Sequence, residues 1–366
     1  MYMKDTSKKI VYPIGGISNT INDITELFEL YVSGKEKIVI NTSAQPNSIP
    51  HIGSVTTIMC AFALGKRLKD TYKKDVVIEF DELENSTGKA VEINGEKYVY
   101  SLKDCVLENG LSKADENMKY YKDLFERLVS YTGIPYRIRT YYDYQKQNIV
   151  RETIVKIISD YDYFAQLLCP KDKTLHFRIR CPKCGLANKS YNNLLYKVFP
   201  DNIRFEGICP LHGNYVVDVN GTNSDYIDMN TQLRDLTKGV LLNSYADNVM
   251  PIMLDGGDWA GVWTNRIHIR GMNRLGYEKY PLRLYAPLLL DWSGAKFSKS
   301  LYEKNGTYDY LNCNGLDNYA NFLEHYQEKG IKKLWIEVTS WLEEPRKFFR
   351  NYSMEYIFDL IRLDGR

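Results

Sequence analysis

Apolar residues recur at two different periods along the first half of the chain, and the changes of period mark the elements. Over residues 20–32, Ile21, Ile24, Leu27, Phe28 and Tyr31 share one helical face, and Ser33-Gly34 ends it. Residues 37–41 (Lys37-Ile38-Val39-Ile40-Asn41) read as a short buried strand, and a loop over 42–50 follows. Helical spacing returns over 54–70 through Val55, Ile58, Met59, Phe62 and Leu68, and 76–80 read as a second strand. This strand–helix–strand opening implies a parallel sheet and an α/β domain.

Further along, Asn94-Gly95 sits between Val91-Glu92-Ile93 and Lys97-Tyr98-Val99 and predicts a hairpin decorating the sheet. Residues 113–131 form a second amphipathic helix with Leu124, Phe125, Leu128 and Val129 inward, stopped by Gly133-Ile134-Pro135. A strand over 136–141 and a helix over 147–159 come next. From Cys169 to about Asn220 the chain turns rich in Cys, Pro, Asn and Gly, as a small inserted module would. Alternation then resumes with a strand over 249–254, ending in Asp255-Gly256-Gly257-Asp258, and an extended run over 282–290. A helix near 316–329 and an aromatic, basic segment from Ile336 close the chain. There is no internal repeat.

Composition narrows the class. The chain has 366 residues, 44% apolar and 26% charged, as a globular protein has. No apolar run approaches the ~18–20 residues of a membrane span. The start carries no signal-peptide pattern, so a cytoplasmic enzyme with no membrane partner is expected. A net charge of +2 does not announce nucleic acid, so any RNA contact would need local basic patches. Seven cysteines are too sparse and too uneven for a disulfide scaffold.

Four constellations carry candidate chemistry. In Gln45-Pro46-Asn47-Ser48-Ile49-Pro50-His51-Ile52-Gly53-Ser54, a loop runs from a strand end into a helix N-terminus, a place that favours anions. Gly53 would let a nucleotide approach the backbone, and His51 could donate to a phosphate oxygen. A plain connecting loop with an incidental histidine fits the same letters. Gly294-Ala295-Lys296-Phe297-Ser298-Lys299-Ser300 places two lysines three apart among small residues, suited to closing over a polyphosphate or to an ordinary solvated loop. Asp255-Gly256-Gly257-Asp258 follows a strand and lies 38 residues before Lys296. A turn needing positive φ would explain its glycines but not its position. Finally, Cys181-Pro182-Lys183-Cys184 and Cys209-Pro210-Leu211-His212, each followed by glycine, have the spacing of a closed tetrahedral zinc site. Four protein ligands leave no open position, so this zinc would be structural. Cys169 is an alternative ligand, while Cys60, Cys105 and Cys313 read as ordinary thiols.

The first and second constellations, in this order, resemble the two signature motifs of class I aminoacyl-tRNA synthetases. The succession of first motif, zinc knuckles, Thr231-Gln232-Leu233-Arg234-Asp235-Leu236, the Gly256-Gly257-Asp258-Trp259-Ala260 segment, Leu275-Gly276-Tyr277-Glu278 and the lysine loop is similar to class I lysyl-tRNA synthetase over about residues 36–300. The resemblance implies a Rossmann-like parallel-sheet catalytic core, ATP with Mg2+ as co-substrate, and formation of an aminoacyl-adenylate. It implies catalytic roles for His51, Ser54, Lys296 and Lys299. It implies ATP contacts at Pro50, Gly53, Gly256, Gly257, Asp258 and Ser298, with Asp258 on the ribose. Ser54 stands where many class I enzymes have a second histidine and this subfamily usually has asparagine. For the amino acid, with lysine favoured, Ser43, Gln45, Asp81, Glu82 and Asp235 are candidates, and Glu84 lies close by, because a buried ammonium needs a carboxylate.

On this reading residues 1–34 are a helical arm, 35–165 and 221–300 the two halves of the catalytic domain, 166–220 the zinc module, and 301–366 a short helical region. The family continues into a large anticodon-reading domain, for which 66 residues are too few. Arg346-Lys347-Phe348-Phe349-Arg350 mixes charge and aromatics as RNA-binding segments do, but an amphipathic helix with a basic face fits it better. The acceptor is therefore either a tRNA acceptor end or a non-tRNA small molecule or carrier protein. A non-catalytic binding subunit is a third reading, opposed by the intact His51, Asp258, Lys296 and Lys299.

Overall fold

A computed structural model describes residues 21–189, 194–223, 225–297, 311 and 314–362. Five strands, β1 (Lys37–Ala44), β2 (Asp75–Glu82), β3 (Tyr136–Thr140), β4 (Val249–Gly256) and β5 (Leu282–Ala286), form one parallel sheet. Their order is β3-β2-β1-β4-β5. The chain thus builds outward from β1 in one direction, then returns to build outward in the other. This is the α/β architecture of a doubly wound, Rossmann-like sheet.

Alternation along the strands sends successive side chains to opposite faces. Ile38, Ile40, Ile78, Phe80, Ile252 and Leu254 face helices α1 (Ile52–Tyr72) and α2 (Lys113–Thr132). The opposite face carries Met253 and meets α3 (Asn148–Ser159), α4 (Tyr161–Leu168), α5 (Thr231–Asn243) and a π-helical segment, Val262–Met272. Burying both faces explains why the strands read as near-continuous apolar runs.

Three elements depart from the sequence expectation. The single helix over 20–32 is a 3-10 turn, Ile24–Phe28, followed by one helical turn, Glu29–Val32. Asp23 and Glu26 form a capping box that fixes the start there, and residue 20 lies outside the described residues. The Asn94-Gly95 hairpin (Thr87–Ile93 with Glu96–Ser101) does not join the central sheet. Instead Tyr98 and Val99 pair with Asn188 and Ala187, just beyond the first cysteine knuckle. Both edges of β2 are already taken, by β1 and β3, so the chain leaving β2 cannot extend that pairing.

The third departure is the C-terminal helix, which runs as α6 (Tyr319–Glu343) well past residue 329. It kinks at Gln327 (φ 52°, ψ −156°) and continues because Gly330 passes where a Cβ would lie 2.3 Å from the Tyr326 Cβ. This region braces the β1–α1 loop and the chain leaving β5. The Tyr319 N–H donates to the Pro50 carbonyl at 2.9 Å, and the Leu288 N–H donates to Asn351 Oδ1 at 3.0 Å. Tyr352-Ser353 pairs with Leu289-Leu290, and Trp341 stacks on Tyr352 with ring centroids 4.3 Å apart. Within Arg346–Arg350, Phe348 is buried and Arg350 lies over the Tyr352 ring, while Phe349 is exposed. Among the described residues no helix is long and apolar enough to cross a membrane.

Because Trp341 is fully buried at the join of this brace, Trp341→Ala is expected to cost about 3–5 kcal/mol. Chemical denaturation at equilibrium measures it, and a loss under 1 kcal/mol would show that the brace is not part of the core.

Candidate active site

The order of the sheet reverses between β1 and β4, and there the loops leaving their carboxyl ends part to opposite faces. Such a switch point opens a crevice for ligands. The β1–α1 loop delivers His51 as the N-cap of α1, in extended conformation (φ −75°, ψ 160°). Its Nδ1 accepts the Ser54 N–H at 3.3 Å, and its Nε2 lies 3.1 Å from Ser54 Oγ. Accepting at Nδ1 assigns the neutral ring's proton to Nε2, which donates to the hydroxyl. Phe297 meets the ring edge-on at 5.4 Å. Gly53 is needed here for room, since a Cβ would stand 2.9 Å from His51 Cε1.

From β4 come Asp255, Gly256, Gly257 and Asp258. Gly256 has φ −62°, so the positive-φ explanation of this glycine is corrected. Its reason is close approach: a Cβ would lie 2.7 Å from Asp258 Oδ1 and 3.1 Å from Leu288 Cδ2. A Cβ on Gly257 would make only ordinary contacts.

Lys296 crosses the crevice to Asp258, Nζ to Oδ2 at 2.5 Å. It is presented by a turn that Asp291 organises. Asp291 Oδ1 accepts from the Ser293 N–H, the Ser293 hydroxyl and the Ala295 N–H, and Gly294 supplies φ 78°. Thr42, Ser43, His51, Gly53, Ser54, Asp255, Gly256, Leu288 and Lys296 thereby line one cavity of about 80 Å³. Pro50 is buried beside it, its carbonyl held by Tyr319. Ser298 and Lys299 lie outside the described residues.

The candidates for an amino-acid pocket do not converge. Asp81 and Glu82 are neighbours in a strand and face opposite ways. Ser43 and Asp81 are register partners on the α5 face. Asp81 accepts from Asn41 Nδ2 at 3.0 Å and from Arg139 Nε at 2.8 Å, with Lys238 Nζ at 4.0 Å, so its charge is already matched. Glu82 turns toward the α2 side, where burial and the charges of Glu84 and Asp115 push its carboxyl up to about 7. Glu84 instead caps the short helix Tyr141–Gln145, accepting the Tyr141 and Tyr142 N–H groups at 2.7 and 2.9 Å. Gln45 is exposed. Asp235 is buried on α5, accepting the Trp263 Nε1–H at 2.8 Å.

Two residues of this face carry more than the sequence assigned them: Lys238 drew no attention there, and Asp255 only as part of the strand-end segment. Lys238 is 2% exposed and donates to Ser43 Oγ at 3.2 Å. Its place beside Leu233, Leu236, Val240 and Leu241 was the available signal, although the helix also carries Gln232, Arg234 and Asp235. Asp255 accepts the Gly256 N–H at 2.8 Å; desolvation pushes its carboxyl up to about 6 against that bond and the charge of Lys238, and Asp235 and Asp258 add smaller repulsions.

The four knuckle residues converge in the inserted module. Their ligand atoms lie within 4.8 Å of one another. Cys184 Sγ is 3.7 Å from Cys209 Sγ, and His212 Nδ1 is 3.6 and 3.5 Å from Cys181 Sγ and Cys209 Sγ. Zn–S bonds of 2.3 Å and Zn–N bonds near 2.05 Å require tetrahedral edges of about 3.8 Å between sulfurs and about 3.5 Å between sulfur and nitrogen. The set is spaced to hold such an ion through Nδ1. Cys60 is buried inside α1, Cys105 is not in the cluster, and Cys313 lies outside the described residues. A larger cavity, about 720 Å³, opens in the same module between Ile93, Tyr98, Leu195, Ile208 and Tyr215. Among its described lining residues the cation is Arg178, which is paired with Asp228 at 3.4 Å, so the switch-point crevice with Lys296 and His51 is the better candidate for phosphate chemistry despite its size.

No protein-family model matches the chain, and no curated protein sequence matches it. Among solved structures the chain is similar to Mycobacterium tuberculosis methionyl-tRNA synthetase in complex with methionyl-adenylate. That alignment has 12% identity and a TM-score of 0.45, covering 90% of this chain and 69% of that one.

The raised Asp255 carboxyl has a direct consequence for stability. Its folded value near 6 lies above the unfolded value near 3.8, so stability falls as pH rises from about 4 through 6. Asp255→Asn is expected to stabilise the fold at pH 7–8 by about 1–3 kcal/mol, with the gain vanishing below pH 4. Urea melts at pH 4 and 7.5 measure this, and a variant less stable at both would contradict it.

Proposed function

We propose that this chain activates an amino acid with ATP, forming an aminoacyl-adenylate at the crevice between β1 and β4. The observation that carries the reading is the meeting, at the switch point of a doubly wound sheet, of three segments distant in sequence. They are the His51–Ser54 helix start, the Asp255–Asp258 strand end and Lys296. In this reaction an oxygen of the amino acid carboxylate attacks the α-phosphorus, the bond to the β-phosphate oxygen breaks, and pyrophosphate leaves. No proton need be abstracted, so positioning and charge stabilisation carry the rate.

The residues fit those tasks. His51 offers an Nε2–H donor beside the N-terminus of α1, where phosphate charge is favoured. Ser54 holds that ring, and Gly53 leaves it space. Asp258 accepts from ribose hydroxyls, and Lys296, with Lys299, meets the polyphosphate. Mg2+ brought with the ATP would offset the charge of its phosphates. At about 80 Å³ the cavity is far smaller than the roughly 300 Å³ or more of small-molecule sites. ATP entry therefore requires Lys296 to leave Asp258, exchanging a carboxylate for a phosphate.

The amino acid proposed is lysine or a relative. Asp81 is already paired, so an ammonium would be met from the α5 side by Asp235 and Asp255. Transfer to a tRNA acceptor end is the first acceptor reading. The second is a non-tRNA small molecule or carrier protein, favoured by a net charge of only +2, which offers no general attraction for nucleic acid. The knuckle residues would hold a structural zinc that fixes the inserted module.

Amino-acid-dependent ATP–pyrophosphate exchange across the twenty amino acids tests the activity, and no exchange with any of them would refute it. Exchange without aminoacylated RNA would select the second acceptor. Lys299→Ala and His51→Ala are each expected to lower exchange by ~10²-fold or more, and a variant within twofold of wild type would lose its assigned role. Cys184→Ser is expected to release one tightly held zinc per chain, read by elemental analysis. Unchanged zinc content would remove the knuckle site.

A further inference from the structure

Cys169, Asp172 and His176 form a second cluster, separate from the four knuckle ligands, with one ligand atom of each within 4.8 Å of the others. The chain is folded to bring them together. Cys169 ends α4, its N–H bonded to the Ala165 carbonyl at 3.0 Å. The Lys173 N–H then returns to the Cys169 carbonyl at 2.7 Å, with Lys173 itself in the left-handed region (φ 54°). That turn sets Asp172 Oδ2 2.7 Å from His176 Nε2.

A surface ion pair beside a buried thiol accounts for two of the three side chains. It does not account for the surroundings of the sulfur. Asn230 Nδ2 donates to Cys169 Sγ at 3.3 Å, and the His176 main-chain N–H donates to it as well. A neutral thiol is a weak acceptor. Two donors aimed at one sulfur suit a thiolate held as a metal ligand, where such outer hydrogen bonds orient the donor atom.

We propose that Cys169, Asp172 and His176 hold a second divalent metal of the zinc class, with sulfur, nitrogen and oxygen donors. Three protein ligands leave a fourth tetrahedral position for water. On binding, the thiol proton is released, and the Asp172–His176 contact opens to a tetrahedral edge of about 3.3 Å. The site stands at the root of the inserted module. Asn230, which touches the sulfur, is also the N-cap of α5, accepting the Leu233 N–H at 3.0 Å. The metal would therefore tie the end of α4 to the start of the helix that carries Asp235 and Lys238. The inference is independent of the adenylation reading.

The test is a zinc titration of the full chain in zinc-buffered solution, with bound metal counted by elemental analysis. Wild type is expected to saturate at two zinc per chain, and Cys184→Ser and His176→Ala at one each. Asp172→Ala, on a half-exposed side chain, is expected to weaken the second zinc at least ~10-fold. Cobalt-loaded Cys184→Ser should keep a thiolate-to-cobalt absorption band that disappears when Cys169→Ser is added, with circular dichroism confirming that each variant is folded. Saturation at one zinc in wild type, or two zinc retained at unchanged affinity in both His176→Ala and Asp172→Ala, would overturn the proposal.

Discussion

The neighbourhood of β1 and β4 is the constraint on which the rest depends. These strands are paired through Ile40–Ile252 and Asn41–Met253, yet 204 residues, 45–248, separate them. The chain after β3, including the inserted module, has to return to the far side of β1. Because the crossovers from β1 and β4 then lie on opposite faces, the carboxyl ends of this pair are left open between them. The gap receives the N-terminus of α1 from one side and the Asp255–Asp258 turn from the other. Lys296 reaches it only because Asp291 folds its turn tightly and because Leu289-Leu290 is held by Tyr352-Ser353.

The same arrangement loads one face of the sheet with charge. Glu79, Asp81, Arg139, Lys238, Asp235 and Asp255 all lie where an α/β core is ordinarily apolar. Most are matched: Arg139 bridges Glu79 and Asp81, and Tyr245 donates to Glu79 at 2.7 Å. The Asp255 carboxyl is pushed up chiefly by desolvation at the rim of the crevice, with Lys238 opposing the shift and Asp235 and Asp258 adding to it. A half-buried carboxylate beside a crevice is a group whose charged form a bound cation would favour.

Much of the frame was legible in the letters because strand and helix periods differ, as in Lys37-Ile38-Val39-Ile40 followed by the Val55–Leu68 spacing. The site loops were legible through residues whose types are restricted: Gly53 for room beside His51, and Gly256 for room beside Asp258. What stayed hidden depends on tertiary pairing. Nothing local distinguishes a hairpin that joins the central sheet from one that joins Ala187-Asn188. The left-handed Gln327 inside α6 breaks no period, because Gly330 absorbs the crowding three residues later. The separation of Asp81 from Glu82 follows from strand alternation, but only once the strand is seen to run to Glu82 rather than stop at Phe80. Lys238 was hidden because burial, not residue type, makes it unusual, and the raised Asp255 carboxyl depends on its tertiary surroundings.

The central claim is that ATP occupies the crevice between β1 and β4. Hydrogen–deuterium exchange of the full chain, with and without ATP and Mg2+, tests it most directly. The account predicts slowed exchange together in three separate segments: the start of α1 around 51–57, the β4 end around 255–260, and the turn at 288–297. Protection confined to the inserted module, or ATP binding that leaves these three segments unchanged, would contradict it.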